Sequence, residues 1–344
     1  MTEFAGLAYY AEVPIVVWDI QRIGPSTGLP TRTSQADLSF VIGMGHGDSD
    51  SVVLMPGDIN ECFDFGWQAF DLAERIQTPI FVLSDLDMGM NQWMSKPFQY
   101  PSVPMDRGKV LSEKDLEELK GNWGRYLDKD GDGIPYRTLP GNKHPLSSYF
   151  TRGTGHDEYA KYTEDAGTFY RNMQRLKRKF ETAKQYVPKP IVHLTKGTSV
   201  AIMAYGSTES AINEARMQLE KEHGIKTDFM RVRAVPFSPE VDEFIKNYDQ
   251  IFVVEMNRDG QLHQLLSLAY PQSALNLKSV AFGDGMPACA KWVREGILAK
   301  YSQSAITKTK SVMPAKKAAV KKAAPKKSAA KKTKAAKSGK KGVK

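Results

Sequence analysis

The chain reads as an α/β protein, with two α/β domains followed by a disordered basic tail. Three observations predict this. Short apolar runs of the kind that form buried strands alternate with amphipathic helical stretches, most regularly between residues 191 and 302. At 344 residues the chain is long enough to build two hydrophobic cores. The composition then changes abruptly: residues 303–344 carry 15 of the 48 lysines and arginines and none of the 39 acids. The formal charge of +9 therefore belongs to the tail, and the body is acidic by six charges.

The first domain is expected over residues 1–190. Its strands are placed at 14–20, 52–55 and 79–84, where Val, Ile and Leu dominate. Between the last two, Asp58 can cap a helix whose apolar face is Cys62, Phe63, Phe65, Ala69, Phe70, Leu72 and Ala73. Residues 86–165 are rich in Gly, Pro, Asp and Tyr, with one short helix expected near 112–120; so long a stretch without periodicity suits a functional segment or an interface arm. A charged helix follows at about 166–186, and Pro188 and Pro190 end it at the expected domain boundary. The second domain, 191–302, alternates strands at 199–205, 227–235, 250–256 and 278–282 with helices near 208–222, 239–247, 260–269 and 287–300. That is a small doubly wound unit, with turns at Gly206, Gly224 and Gly283. Residues 303–344 repeat Lys/Ala-rich units that cannot bury a core.

No apolar run has the length of a membrane span, and the first residues do not resemble a signal peptide. The two cysteines, Cys62 and Cys289, form no CxxC pair, which argues against a disulfide framework and against an iron–sulfur cluster held by this chain. A cytoplasmic protein with reduced thiols is expected.

The richest segment is QRIGPSTGLPTRTSQADL at 21–38. It follows the apolar run at 14–20, so it places polar groups at the carboxyl end of a buried strand, where ligands bind in open α/β sheets. Arg22 offers a rigid donor fork that fits a carboxylate, and Ser26, Thr27 and Thr31 add hydroxyls beside Gly24 and Gly28. Spacing alone is equally compatible with a tight turn braced by a structural ion pair.

This segment resembles the substrate-binding turn of the α subunit of 2-oxoacid:ferredoxin oxidoreductases, the 2-oxoglutarate type in particular. The resemblance continues through MTEFAGLA at 1–8, LSDLDMGMN at 83–91, PMDRGKVL at 104–111, DGDGIPYRTLPG at 130–141, YFTRGTGHDEYAKYTED at 149–165, RKFETA at 178–183 and VEMNRDGQL at 254–262. The family's usual GMPITA is GMPACA here, at 285–290, outside the expected site. The resemblance implies a partial thiamine-diphosphate pyrimidine-binding-type domain and a transketolase C-terminal-like domain, the latter serving mainly assembly. It implies that Arg22 binds the C1 carboxylate of a 2-oxoacid, with Thr31 lining the same pocket and Thr27 and Ser26 nearby.

In the same way the resemblance implies thiamine diphosphate at a subunit interface, with Mg²⁺ and a [4Fe–4S] cluster on a β subunit. Ferredoxin and coenzyme A follow as further partners. The family's Tyr-Pro-Ile-Thr-Pro turn and its cofactor-activating glutamate have no counterpart, since Glu3 and Glu12 do not match that position. An N-terminally truncated α subunit is therefore expected, completed by a separately encoded N-terminal or γ portion and inert alone. The rival reading is a non-catalytic paralogue acting as a scaffold, its tail binding nucleic acid through charge alone.

Four smaller signals remain. Asp128, Asp130, Asp132 and Gly133 have the opening spacing of a calcium loop, but Leu139 stands where its final glutamate is required. His46 and His156 have no second ligand at metal-like spacing, and structural histidines are expected. Asp85 and Asp87 end a strand and suit turn capping. AYGST at 204–208 lacks a nucleotide-binding fingerprint.

Overall fold

Helix α1 (Thr2–Ala11) leads through Glu12 into strand β1 (Ile15–Ile23), which turns back as β2 (Leu29–Thr33). The structure, a computed structural model, describes residues 1–301; the tail expected to be disordered lies outside the described residues. After β2 come α2 (Leu38–Ile42), β3 (Val52–Leu54), α3 (Ile59–Ile76), β4 (Pro79–Asp85) and α4 (Leu86–Met90). The Asp58 carboxylate caps α3 as its sequence position suggests, accepting from the Glu61 amide at 2.8 Å. Helices α5 (Glu113–Leu119) and α6 (Ala166–Ala183) stand close to their expected positions.

The remaining elements are β5 (Ile191–His193), β6 (Val200–Tyr205), α7 (Glu209–His223), β7 (Asp228–Val232), β8 (Ala234–Val235), α8 (Pro239–Lys246), β9 (Gln250–Glu255), α9 (Gln261–Ala269), β10 (Leu277–Ala281) and α10 (Ala290–Leu298). The α/β class is as expected. Four short elements, β2, α2, α4 and β5, carry too few residues for periodicity to reveal them.

Two five-stranded sheets result, in the orders β2-β1-β4-β3-β8 and β10-β9-β6-β7-β5. The strand expected at 227–235 is divided between them. Residues 228–232 join the second sheet, and after Arg233 the chain crosses over so that Val235 pairs with Val53 of the first. Pro236, which has no amide hydrogen, follows at once and ends the run.

Side-chain alternation joins the two sheets into one body. On β4, Phe81 and Leu83 face a core shared with Ala201, Met203 and Tyr205 of β6 and with α2, α8 and α9. The intervening Ile80 and Val82 face Phe65, Ala69 and Ile76 of α3. On β6, Val200, Ile202 and Ala204 turn the other way, toward α7 and α10. Burying one side chain the size of Phe81 contributes about 1.5–3 kcal/mol, so this shared core fixes the sheets against each other.

The long irregular segment is pinned by arginine contacts and by two isolated strand bridges, Val110 with Arg137 and His156 with Tyr162. Arg75 bonds Asp106, Arg137 bonds Glu74, and Arg125 donates to the Glu12 carbonyl at 2.9 Å. One edge of the first sheet is left open. Residues 15–21 of β1 pair with β4 on one side, while β2 meets β1 only at Arg22 and Ile23. Trp18 and Ile20 on that strand are exposed.

Candidate functional site

The hairpin formed by β1 and β2 carries all four predicted site residues. Register sets their arrangement. Gln21 still pairs with Asp85 of β4, but at Arg22 the ladder passes to β2, with Arg22 opposite Thr33 and Ile23 opposite Leu29. The register shifts between Arg22 and Ile23, one step on β1 spanning four residues of β2, so Thr31 lies in the bulged stretch between the two pairings. The tip is tight: a Cβ on Gly28, whose φ is +43°, would lie 2.4 Å from the Ile23 carbonyl oxygen, so only glycine fits.

Arg22, Ser26, Thr27 and Thr31 are all exposed, and none of their side chains has a hydrogen-bond or ion-pair partner among the described residues. The structural ion pair that spacing had left open for Arg22 is not formed. GMPACA is nearer the hairpin than expected, because a Cβ on Gly285 would come within 2.8 Å of Arg32 and 3.3 Å of Leu29.

Beneath the exposed tip lies a buried polar root that sequence reasoning missed. Thr33 Oγ1 is 3.4 Å from Asp85 Oδ1, and Ser207 Oγ donates to Asp85 Oδ2 at 2.7 Å. Asp85 also caps α4, accepting from the Asp87 and Met88 amides, as strand-end aspartates do. Burial raises the Asp85 carboxyl above its ordinary range, against these bonds. Gln35 is fully buried; its backbone amide donates to the Met256 carbonyl at 2.7 Å, and its side chain spans the Met256 amide and the Tyr205 carbonyl. Its residues lay in segments the sequence had singled out, 21–38, 83–91, 204–208 and 254–262, but nothing in them said that they meet.

The other singled-out residues serve structure. Asp128 accepts from the Gly131 and Gly133 amides and pairs with Arg178, while Asp130 and Asp132 lie 2.7 and 2.8 Å from Lys109 Nζ. The three carboxylates of the calcium expectation, Asp128, Asp130 and Asp132, are thus already bonded within the protein. Protein amides and cations take the carboxylates, and no group of three His, Cys, Asp or Glu among the described residues is arranged to hold a metal. Gly133 explains the block's shape, since a Cβ there would sit 2.4 Å from the Lys179 nitrogen of α6. His156 is structural, bonded to the Thr154 carbonyl and to Asn172 between the rings of Tyr10 and Tyr126. His46 is exposed beside Glu3.

Among the described residues no helix is long and apolar enough to cross a membrane. Residues 1–115 match the family described as pyruvate flavodoxin/ferredoxin oxidoreductase, thiamine diphosphate-binding. The chain is similar to the α subunit of 2-oxoacid:ferredoxin oxidoreductase 2 from Aeropyrum pernix, at 36% identity over 273 residues, covering 77% of this chain and 41% of that one. It is also similar to the 2-oxoglutarate synthase subunit KorA of Methanothermobacter thermautotrophicus, at 26% identity, covering 80% of this chain and 71% of that one. Among solved structures it resembles a 2-oxoglutarate:ferredoxin oxidoreductase from Magnetococcus marinus with 2-oxoglutarate, coenzyme A and succinyl-CoA bound. That likeness has a TM-score of 0.76 at 26% identity and covers 87% of this chain and 51% of the other. The resemblance to oxidoreductase α subunits read from the motifs therefore holds along most of the chain. The chain spans less than half the length of the first of these relatives.

Proposed function

We propose that this chain works within the α subunit of a ferredoxin-dependent 2-oxoacid oxidoreductase, with 2-oxoglutarate as the substrate. Arg22 grips the C1 carboxylate, and Thr31, Thr27 and Ser26 surround it. In the assembled complex the oxoacid loses CO₂, its acyl carbon passes to coenzyme A, and the two electrons released go to ferredoxin. The observation that carries this reading is the free guanidinium of Arg22, exposed at the end of β1 on a hairpin whose root is buried. A guanidinium bound for structural reasons would have a carboxylate beside it; this one is left for a ligand.

Thiamine diphosphate does not fit a site made by this chain alone. Glu12 is consumed by Arg175 and Lys179, Glu3 is exposed near His46, and no cluster among the described residues could hold a metal on the diphosphate. The cofactor is assigned instead to a shared interface with a β subunit that also carries Mg²⁺ and the [4Fe–4S] cluster. The open edge of β1 offers strand pairing to a further segment of the complex. A cytoplasmic setting suits the free Cys62 and Cys289.

The test is Arg22→Ala in the assembled enzyme. Losing a charge-assisted carboxylate contact should raise KM for the oxoacid about 10- to 100-fold while thiamine diphosphate binding is unchanged. Arg22→Lys should recover only part of the loss, because a point charge cannot make the bidentate contact. An unaltered KM in Arg22→Ala would remove Arg22 from the substrate role.

A further inference from the structure

We infer that the segment from Glu255 to Gln261, at the end of β9, is a clamp that sets the position of the Arg22 hairpin, with Gln35 as its positioning residue. The second sheet thus governs how well the oxoacid carboxylate is held, beyond any service to assembly. The effect on substrate rests on Arg22 as the carboxylate-binding group.

Few ladder bonds hold β2, although Gly285 packs against its Leu29 and Arg32. It meets β1 at only two ladder positions, and its tip is exposed. The β1 arm is laddered to β4 as far as Gln21, and Thr33 bonds Asp85 and the Asp87 amide there. From Ser34 to Ser39 the β2 arm is bonded mainly to the second sheet, which therefore sets how that arm leans. Gln35 and Met256 form a two-way bridge: the Gln35 amide donates to the Met256 carbonyl at 2.7 Å, and the Met256 amide donates to Gln35 Oε1 at 3.0 Å. Gln35 Nε2 donates to the Tyr205 carbonyl at 2.8 Å. The Gln35 carbonyl accepts from both Tyr205 Oη at 2.8 Å and Asn257 Nδ2 at 2.9 Å.

One residue further on, Gln261 Nε2 donates to the Ala36 carbonyl at 2.7 Å and Gln261 Oε1 accepts from the Ser39 amide at 2.9 Å. On the near side, Ser34 Oγ donates to the Met256 carbonyl at 3.1 Å. Even Gly206 takes part, since a Cβ there would lie 2.6 Å from Gln35 Nε2.

Cohesion between the sheets does not require these bonds. The shared apolar core of Phe81, Leu83, Met203, Val232 and Val253 already supplies it. A fully satisfied buried network adds direction, because few other arrangements satisfy every donor and acceptor. Arg22 lies on β1 just past its last pairing with β4 and opposite Thr33, so a swing of β2 reaches the guanidinium through that one pairing. Misplacement by about 1 Å at such a contact is costly to a bound ligand.

The test uses two variants in the full chain. Tyr205→Phe deletes one hydroxyl and keeps the ring; Gln35→Leu deletes the side-chain bridge. Hydrogen exchange is followed at residues 22–39, and KM and kcat are measured in the assembled enzyme. Exchange at 22–39 should quicken about tenfold in Gln35→Leu and less in Tyr205→Phe, with β6 and β9 unchanged. KM for the oxoacid should rise about tenfold in Gln35→Leu while kcat falls far less. If Gln35→Leu does not fold, Tyr205→Phe alone decides through the same two readouts. Unchanged exchange at 22–39 overturns the clamp whatever Arg22 does. Faster exchange combined with a normal KM in Arg22→Ala keeps the clamp and discards the substrate reading.

Discussion

Glu12, between α1 and β1, and Glu255, at the end of β9, are both carboxylates with almost no exposure, and the protein holds them in opposite ways. Around Glu12 the partners are cations: Arg175 makes two contacts, at 2.9 and 2.7 Å, and Lys179 Nζ lies at 2.6 Å. Burial alone would raise the Glu12 carboxyl, but Arg175 and Lys179 outweigh it and hold it down at about 2. Around Glu255 the hydrogen-bond partners are neutral amides: those of Leu262 and His263 at 2.7 and 3.0 Å and the Asn257 side chain at 2.6 Å. There burial prevails and the carboxyl is raised. The difference separates two tasks. The Glu12 centre ties α6 to the entry of β1 by charge, whereas the Glu255 centre shapes the clamp segment by geometry.

The same substitution at both positions should expose the contrast. Glu12→Gln leaves Arg175 and Lys179 buried with no anion between them, which should cost about 3–5 kcal/mol in urea unfolding of the full chain. A loss below about 1 kcal/mol would mean that the cations find another partner or water. The acid limb carries the same signature. The folded pKa lies below the unfolded one, so the stabilisation is complete above about 4.5 and is lost as pH falls toward about 2. On the order of 3 kcal/mol should disappear across that window in the wild type and not in Glu12→Gln.

Glu255→Gln should cost less, about 1–2 kcal/mol, because the amide oxygen can still accept from Leu262 and Asn257 and only the His263 amide loses its partner. Its pH dependence should run the other way. A raised carboxyl takes up its proton in the folded state first, so acidification relieves the burial cost of the wild type, and Glu255→Gln lacks that relief. Equal losses for the two variants would erase the distinction between a charge tie and a geometric one.

How far the sequence disclosed this architecture follows the reach of each interaction. Helix α3 was legible because Asp58 and the apolar face from Phe65 to Ile76 act within one element. The turn after β1 was legible because Gly24, Pro25, Ser26, Thr27 and Gly28 interrupt the apolar run within a few residues. The clamp was not, since Gln35 meets Tyr205 and Met256 across 170 and 221 residues and no local pattern encodes such a meeting. Glu12 was noticed only as a residue that failed to match, because its partners lie in a helix whose charges looked uniformly hydrophilic. Arg175 and Lys179 are buried on that helix and their neighbours Arg178 and Lys177 are not, a choice made by packing. The strand at 227–235 misled because its alternation of apolar residues with Arg231 and Arg233 reads as one strand and does not reveal a change of sheet at Arg233.

The smallest effect belongs to a third group of carboxylates, Asp128, Asp130 and Asp132, which sit near the surface and are already provided for. Lys109 lies between two of them and is fixed further by the Ile134 carbonyl at 3.0 Å, while Arg178 and two glycine amides take the third. Calcium would have to displace Lys109 to recruit a second carboxylate, and position twelve of the loop supplies no replacement ligand. Millimolar Ca²⁺ should therefore leave the Tm of the full chain unmoved, and Lys109→Met should cost about 1 kcal/mol, since the half-buried ammonium leaves two carboxylates that water can still reach. A calcium-dependent rise in Tm in the wild type would show that these acids remain available to a metal, and that a carboxylate close to solvent is not committed by its ion pair as Glu12 is by burial.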